Sequence, residues 1–152
     1  NISDENIRDG LFDAIWHARF EVIGENPTFI FDGGHNPEGV RAAVRSMQTY
    51  FPGLRVNVLS AVMQDKDFCT MADLLSPIAK TVYTVSGGMP RSLSPERWAE
   101  CFTARGVKAL ACPVLEEGIR RAIHASREES LPLLCLGSLY LYRAVAEITE
   151  EQ

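Results

Sequence analysis

Residues 29–39 read FIFDGGHNPEG, and the fold turns on how this stretch is read. Phe29, Ile30 and Phe31 are an apolar run that stops at Asp32. Two glycines suit a backbone that turns sharply or approaches a ligand closely, and an Asn-Pro pair then opens a helix-like sequence with Pro37 in its first turn. Strand, glycine turn and helix in that order make the first half of a βαβ unit.

Outward from there the same alternation continues. NPEGVRAAVRSMQTYF (36–51) is a helix with Val40, Val44 and Met47 on one face, stopped by the Pro-Gly at 52–53. RVNVLSAVM (55–63) is almost continuously apolar, as expected of a strand covered on both faces. Helix and strand follow in turn: KDFCTMADLLSPIA (66–79), TVYTVS (81–86), SPERWAECFTARG (94–106), KALACP (108–113), LEEGIRRAIHASREE (115–129), PLLCLGS (132–138) and LYLYRAVAEITEE (139–151). Before residue 29, RFEVIG (19–24) and TFIFD (28–32) are two strands whose GENP turn is too short for a crossover, so they pair antiparallel. DENIRDGLFDAIW (4–16) has helical spacing at Ile7, Leu11 and Ile15, with Ser3 as its N-cap. The expected fold is α/β: a Rossmann-like three-layer domain with a mostly parallel sheet of about six strands, one antiparallel strand near the start, and helices on both faces.

The chain has 152 residues, enough for one domain with a real core and too few for two, so residues 1–152 are read as a single unit. Its 46% hydrophobic and 23% charged composition is that of a globular domain. A net charge of −5 with scattered basic residues speaks against nucleic acid or an anionic membrane as partner. No apolar run approaches the ~20 residues of a membrane span. Cys69, Cys101, Cys112 and Cys135 form no C-x-x-C pair, so they are expected to be buried free thiols of a cytoplasmic protein, with no metal site.

In such sheets ligands collect at the carboxyl ends of the strands, where four loops fall: DGGHNP, MQDKD, SGGMPRSLSPE and GSLY. Neither G-x-G-x-x-G nor a P-loop occurs in the chain. Asp32 at a strand end can accept from a ribose or hold its loop. His35, before a helix N-terminus, can bind an anion, and so can Lys66 within DKD, although Asp67 there also reads as a helix cap. Ser138 is either an anion contact or a plain N-cap, and Arg19 can reach a phosphate or pair with Glu21. His17 and His124 carry no signal, and a Ser-His-Asp triad has no G-x-S-x-G elbow to stand on.

The combination is more specific than its parts. WHARFE (16–21), DGGHNPEG (32–39), DKD (65–67) and GSLYL (137–141), in this order, resemble the C-terminal domain of the folylpolyglutamate synthase / dihydrofolate synthase family, within the Mur-ligase-like amide ligases. The resemblance covers essentially the whole chain. It implies a reaction in which ATP phosphorylates a carboxylate of folate or dihydropteroate and the amine of L-glutamate attacks the acyl phosphate, with Mg2+ neutralising the phosphates. It also implies that Arg19 contacts the ATP phosphates and Asp32 the ribose, while His35 and Ser138 lie near the incoming glutamate and Lys66 near glutamate or phosphate. The family's P-loop, acidic metal ligands and carbamylated lysine have no counterpart here, so the chain reads as a fragment that meets its own N-terminal P-loop domain through an exposed, partly apolar loop face. The start at Asn1 fits that expectation. GGH stands where the family more often has GAH, and HAR where it has PGR. Two rival readings are a non-catalytic Rossmann-like nucleotide- or protein-binding module and the C-terminal domain of a cell-wall Mur ligase.

Overall fold

The structure, a computed structural model, describes residues 17–151 together with Ser3 and Asn6. Apart from Asn6, the helix expected over 4–16 lies outside the described residues.

The three residues of β2 (Phe29–Phe31) are all buried, which requires cover on both faces and a partner on each edge. On one edge β1 (Glu21–Gly24) pairs antiparallel, as the short turn demands. On the other edge lies β6 (Leu133–Leu136), parallel, with Phe29, Ile30 and Phe31 opposite Leu133, Leu134 and Cys135. The sheet continues through β3 (Val56–Ser60), β4 (Ala79–Thr84) and β5 (Lys108–Ala111), giving the order β1-β2-β6-β3-β4-β5. The Rossmann-like expectation therefore holds, including its single antiparallel pair.

Side-chain alternation along the strands splits the core in two. On one face Ile30, Val58, Val82, Leu134 and Leu136 pack under α1 (Pro37–Tyr50), α2 (Phe68–Leu75) and α3 (Pro95–Thr103). On the other, Phe29, Phe31, Leu59, Leu133 and Cys135 pack under α4 (Leu115–Glu129) and α5 (Tyr142–Glu150). Helix α1 forms because Val40, Ala43, Val44 and Met47 fall on one stripe and the Asn36 carbonyl oxygen Oδ1 accepts the Gly39 N–H at 2.8 Å. Inside the first layer the Trp98 indole N–H donates to Ser60 Oγ at 3.1 Å, so even the polar end of β3 is satisfied.

Several elements differ from the sequence expectation; β3 and α3, for instance, end at Ser60 and Thr103, short of the expected 63 and 106. Helix α2 stops at Leu75 instead of running through SPIA, since Pro77 has no N–H to give the carbonyl four residues back, and β4 starts earlier, at Ala79. The closing helix opens with a 3-10 turn (Leu139–Leu141) before α5. Of the cysteines, Cys101, Cys112 and Cys135 are buried free thiols as expected, whereas Cys69 is exposed near the start of α2.

Candidate functional site

Helices α1 to α3 cover one face and α4 and α5 the other, so the sheet reverses its winding where β6 is inserted between β2 and β3. The crevice beyond the carboxyl ends of those strands is where a ligand fits. The loops after β2 and β6 are stitched together there: the Asp32 N–H donates to the Cys135 carbonyl at 2.9 Å and the Gly137 N–H to the Gly34 carbonyl at 2.8 Å. Gly137 has φ +106°, and a Cβ there would drive into the Ala61 carbonyl oxygen and lie 2.9 Å from Ser60 Oγ, so only glycine lets the β6 loop pass this close to β3. The β3 loop is tied in turn to the loop after β4, with the Gln64 N–H donating to the Arg91 carbonyl and the Leu93 N–H to that of Val62, both at 2.8 Å.

Two cavities meet at His35. One, of about 300 Å³, is lined by Arg19, Asp32, His35 and the small residues Gly39, Ala42 and Ser46 along α1. The other, of about 420 Å³, is lined by His35, Lys66, Arg91, Ser138 and Tyr140. All five residues singled out in the sequence thus line this pair of cavities, although they come from loops as far apart as positions 19 and 138.

Their local chemistry differs. Asp32 holds its loop: Oδ2 accepts the Phe20 N–H at 3.0 Å and Oδ1 the Gly34 N–H at 2.7 Å, which leaves further lone pairs on both oxygens. His35 Nδ1 lies 2.9 Å from the Gly33 carbonyl, which can only accept, so Nδ1 donates there, and among the described residues no hydrogen bond engages Nε2. Ser138 is buried and its Oγ accepts the Tyr140 N–H at 3.3 Å, a cap of the 3-10 turn rather than of a full helix. Asp67 caps α2 by accepting the Thr70 N–H at 3.2 Å, and hydrogen bonding from the Thr70 side chain, with that N–H second, holds its carboxyl below the usual range. Asp65 pairs with Arg91 at 3.1 Å.

Arg19 does not pair with Glu21, whose carboxylate is taken by Ala18, His17 and Tyr142. Among the described residues no ion pair or hydrogen bond engages the Arg19 guanidinium or the Lys66 ammonium. Arg19 and Lys66 thus put one cation in each cavity of the crevice. Arg91 and Tyr140 were not singled out from the sequence. Arg91 lies in a loop that had been marked, but its pairing with a carboxylate 26 residues away leaves no local pattern. Leu139, Tyr140 and Met89 are exposed apolar side chains on the same loop side.

Fold and crevice together define a Rossmann-like α/β domain with a polar crevice at its switch point. The chain belongs to the family described as Mur ligase, glutamate ligase domain, whose model matches residues 18–139. The folylpolyglutamate synthase of Lacticaseibacillus casei is 34% identical over 149 residues, covering 96% of this chain and 32% of that protein. Among solved structures, the Mycobacterium tuberculosis folylpolyglutamate synthase complexed with ADP and AMPPCP superposes with a TM-score of 0.84 over 98% of this chain and 36% of that one, at 21% identity. The bifunctional folylpolyglutamate synthase/dihydrofolate synthase of Yersinia pestis, complexed with AMPPNP and a manganese ion, does so at 0.77, with 27% identity and 98% and 34% coverage. The chain spans about a third of the length of the Lacticaseibacillus casei relative and of a Bacillus subtilis dihydrofolate synthase/folylpolyglutamate synthase. No helix of the described residues is long and apolar enough to cross a membrane.

Proposed function

We propose that this chain is the C-terminal domain of an ATP-dependent ligase that adds L-glutamate to folates, as folylpolyglutamate synthase, dihydrofolate synthase or both. In this reading residues 1–152 are one domain, and a P-loop ATPase domain carried elsewhere in the same protein closes over the loop side, against Leu139, Tyr140 and Met89. The observation that carries the reading is the pair of cavities joined at His35, with the Arg19 guanidinium in one and the Lys66 ammonium in the other, neither engaged by an ion pair or hydrogen bond among the described residues. A nucleoside triphosphate and a dicarboxylic amino acid are the two anions such a reaction must bring side by side.

Arg19 then meets the ATP phosphates and Asp32 accepts from the ribose hydroxyls with the lone pairs its loop leaves free. Lys66 and Ser138 hold glutamate carboxylates, and His35 Nε2 accepts from the glutamate amine as it is aimed at the acyl phosphate. Among the described residues no three His, Cys, Asp or Glu side chains cluster as a metal-ligand set. In this reading the Mg2+ that neutralises the phosphates is held mainly by the P-loop domain.

His35→Ala in the chain joined to its upstream sequence tests the assignment. The expected result is a kcat/KM for glutamate lower by about 10²-fold, the usual scale for a positioned acid–base group. Unchanged glutamate kinetics would remove His35 from the reaction.

A further inference from the structure

Arg19 is displayed on an unusual piece of backbone. Its neighbours Ala18 and Phe20 both have positive φ, 61° and 44°, a conformation that side chains rarely adopt unless the surroundings impose it. Three main-chain tethers impose it here. The Ala18 carbonyl accepts the Gly33 N–H at 2.7 Å, the Phe20 N–H donates to Asp32 at 3.0 Å, and the Ala18 N–H donates to Glu21 Oε2 at 2.7 Å. The first two come from the β2 loop. The third depends on where the Glu21 carboxylate sits, and that is set by the exposed His17, whose Nδ1 lies 3.3 Å from Oε1, and by Tyr142, whose hydroxyl lies 3.1 and 3.0 Å from the two oxygens.

Tyr142 is the first residue of α5, directly after the turn that Ser138 caps. Its ring is held edge-on to Phe31 with centroids 5.0 Å apart. The preceding turn and the Arg19 guanidinium both crowd Gly33: a Cβ there would fall 2.6 Å from Leu139 Cδ2 and 2.5 Å from Arg19 Nη1. The start of α5 therefore reaches the Arg19 segment through Glu21, while the turn before it shares the space beside Gly33 with the Arg19 guanidinium.

We infer that Tyr142 and Glu21 are positioning residues that hold the Arg19 guanidinium in place and link it to the loop carrying Ser138. The inference rests on the reading of Arg19 as a phosphate contact. Neither side chain touches substrate in this account. Each acts through the backbone of residues 18–20, so removing the phenol hydroxyl loosens Arg19 without changing the charge of the crevice.

The test is steady-state kinetics of the chain joined to its upstream sequence, with KM for ATP and for glutamate measured separately. Tyr142→Phe, which keeps the ring against Phe31, is expected to raise the ATP KM about tenfold, the loss of one hydrogen bond to a charged group. Glu21→Gln is expected to do the same, and glutamate KM is expected to stay within about twofold for both, a split that general loosening of the fold would not give. In an Arg19→Ala background Tyr142→Phe is expected to add nothing. A raised ATP KM in Arg19→Ala with no effect of Tyr142→Phe and Glu21→Gln would overturn the inference alone. An unchanged ATP KM in Arg19→Ala would overturn the reading it rests on.

Discussion

Gly137→Ala probes the point where the two halves of the crevice are joined. Two separate penalties apply. Its φ of +106° lies outside the regions an alanine occupies comfortably, at about 1–2 kcal/mol. The added methyl also runs into the Ala61 carbonyl oxygen and sits 2.9 Å from Ser60 Oγ, and neither atom is the end of a flexible side chain. Overpacking of this kind costs roughly 1–3 kcal/mol. The expected total, about 2–5 kcal/mol, is a large share of the ~5–15 kcal/mol that holds a domain together. Gly53 is the control, with φ +76° and nothing within 4 Å of an added Cβ, so Gly53→Ala should show the backbone penalty alone. Urea unfolding of the chain, followed by far-UV circular dichroism, should place the Gly137→Ala midpoint about 1–3 M lower than wild type for a typical urea slope, and clearly below that of Gly53→Ala. Equal midpoints for the two variants would refute the argument that close approach of β6 to β3 is what demands glycine there.

Trp98→Phe should destabilise the chain by about 1–3 kcal/mol in the same assay, because it leaves Ser60 Oγ without its buried donor and opens space beside Phe102. Burial pushes the Cys101, Cys112 and Cys135 thiols up, so an aromatic disulfide reagent at pH 8 should titrate Cys69 alone in the native chain and all four thiols in denaturant. For Glu21, burial raises the carboxyl pKa, but the bonds from Ala18, His17 and Tyr142 outweigh it and leave the folded value below the ordinary 4.5. Its contribution to stability is thus present above about pH 4.5 and lost as the pH falls through the lower folded value, so Glu21→Gln should flatten the acid limb of a stability–pH profile measured from pH 6 to 3.

How much of this was legible in the sequence depends on how local the cause is. LEEGIRRAIHASREE maps residue for residue onto α4, because its apolar stripe and charged face are properties of the segment itself. The antiparallel β1–β2 pair followed from turn length. What failed was also local but finer: the consequence of Pro77 for the end of α2, and the reach of Ser138 to the second residue after it, which tightens the start of the last helix into a 3-10 turn. In the site, residue types at strand ends sufficed to pick out Arg19, Asp32, His35, Lys66 and Ser138. They did not tell which groups were already engaged. That Asp65 goes to Arg91, and Glu21 to Tyr142 across 121 residues, is decided by the order of strands in the sheet, which no local pattern encodes.

The central claim is most directly tested by assaying ATP-dependent addition of glutamate to dihydropteroate and to tetrahydrofolate, using the chain joined to its upstream sequence and the chain alone. The account predicts ligation by the joined protein with at least one of the two substrates and none by the chain alone. No ligation by a folded joined protein with ATP, Mg2+ and both substrates present would contradict it.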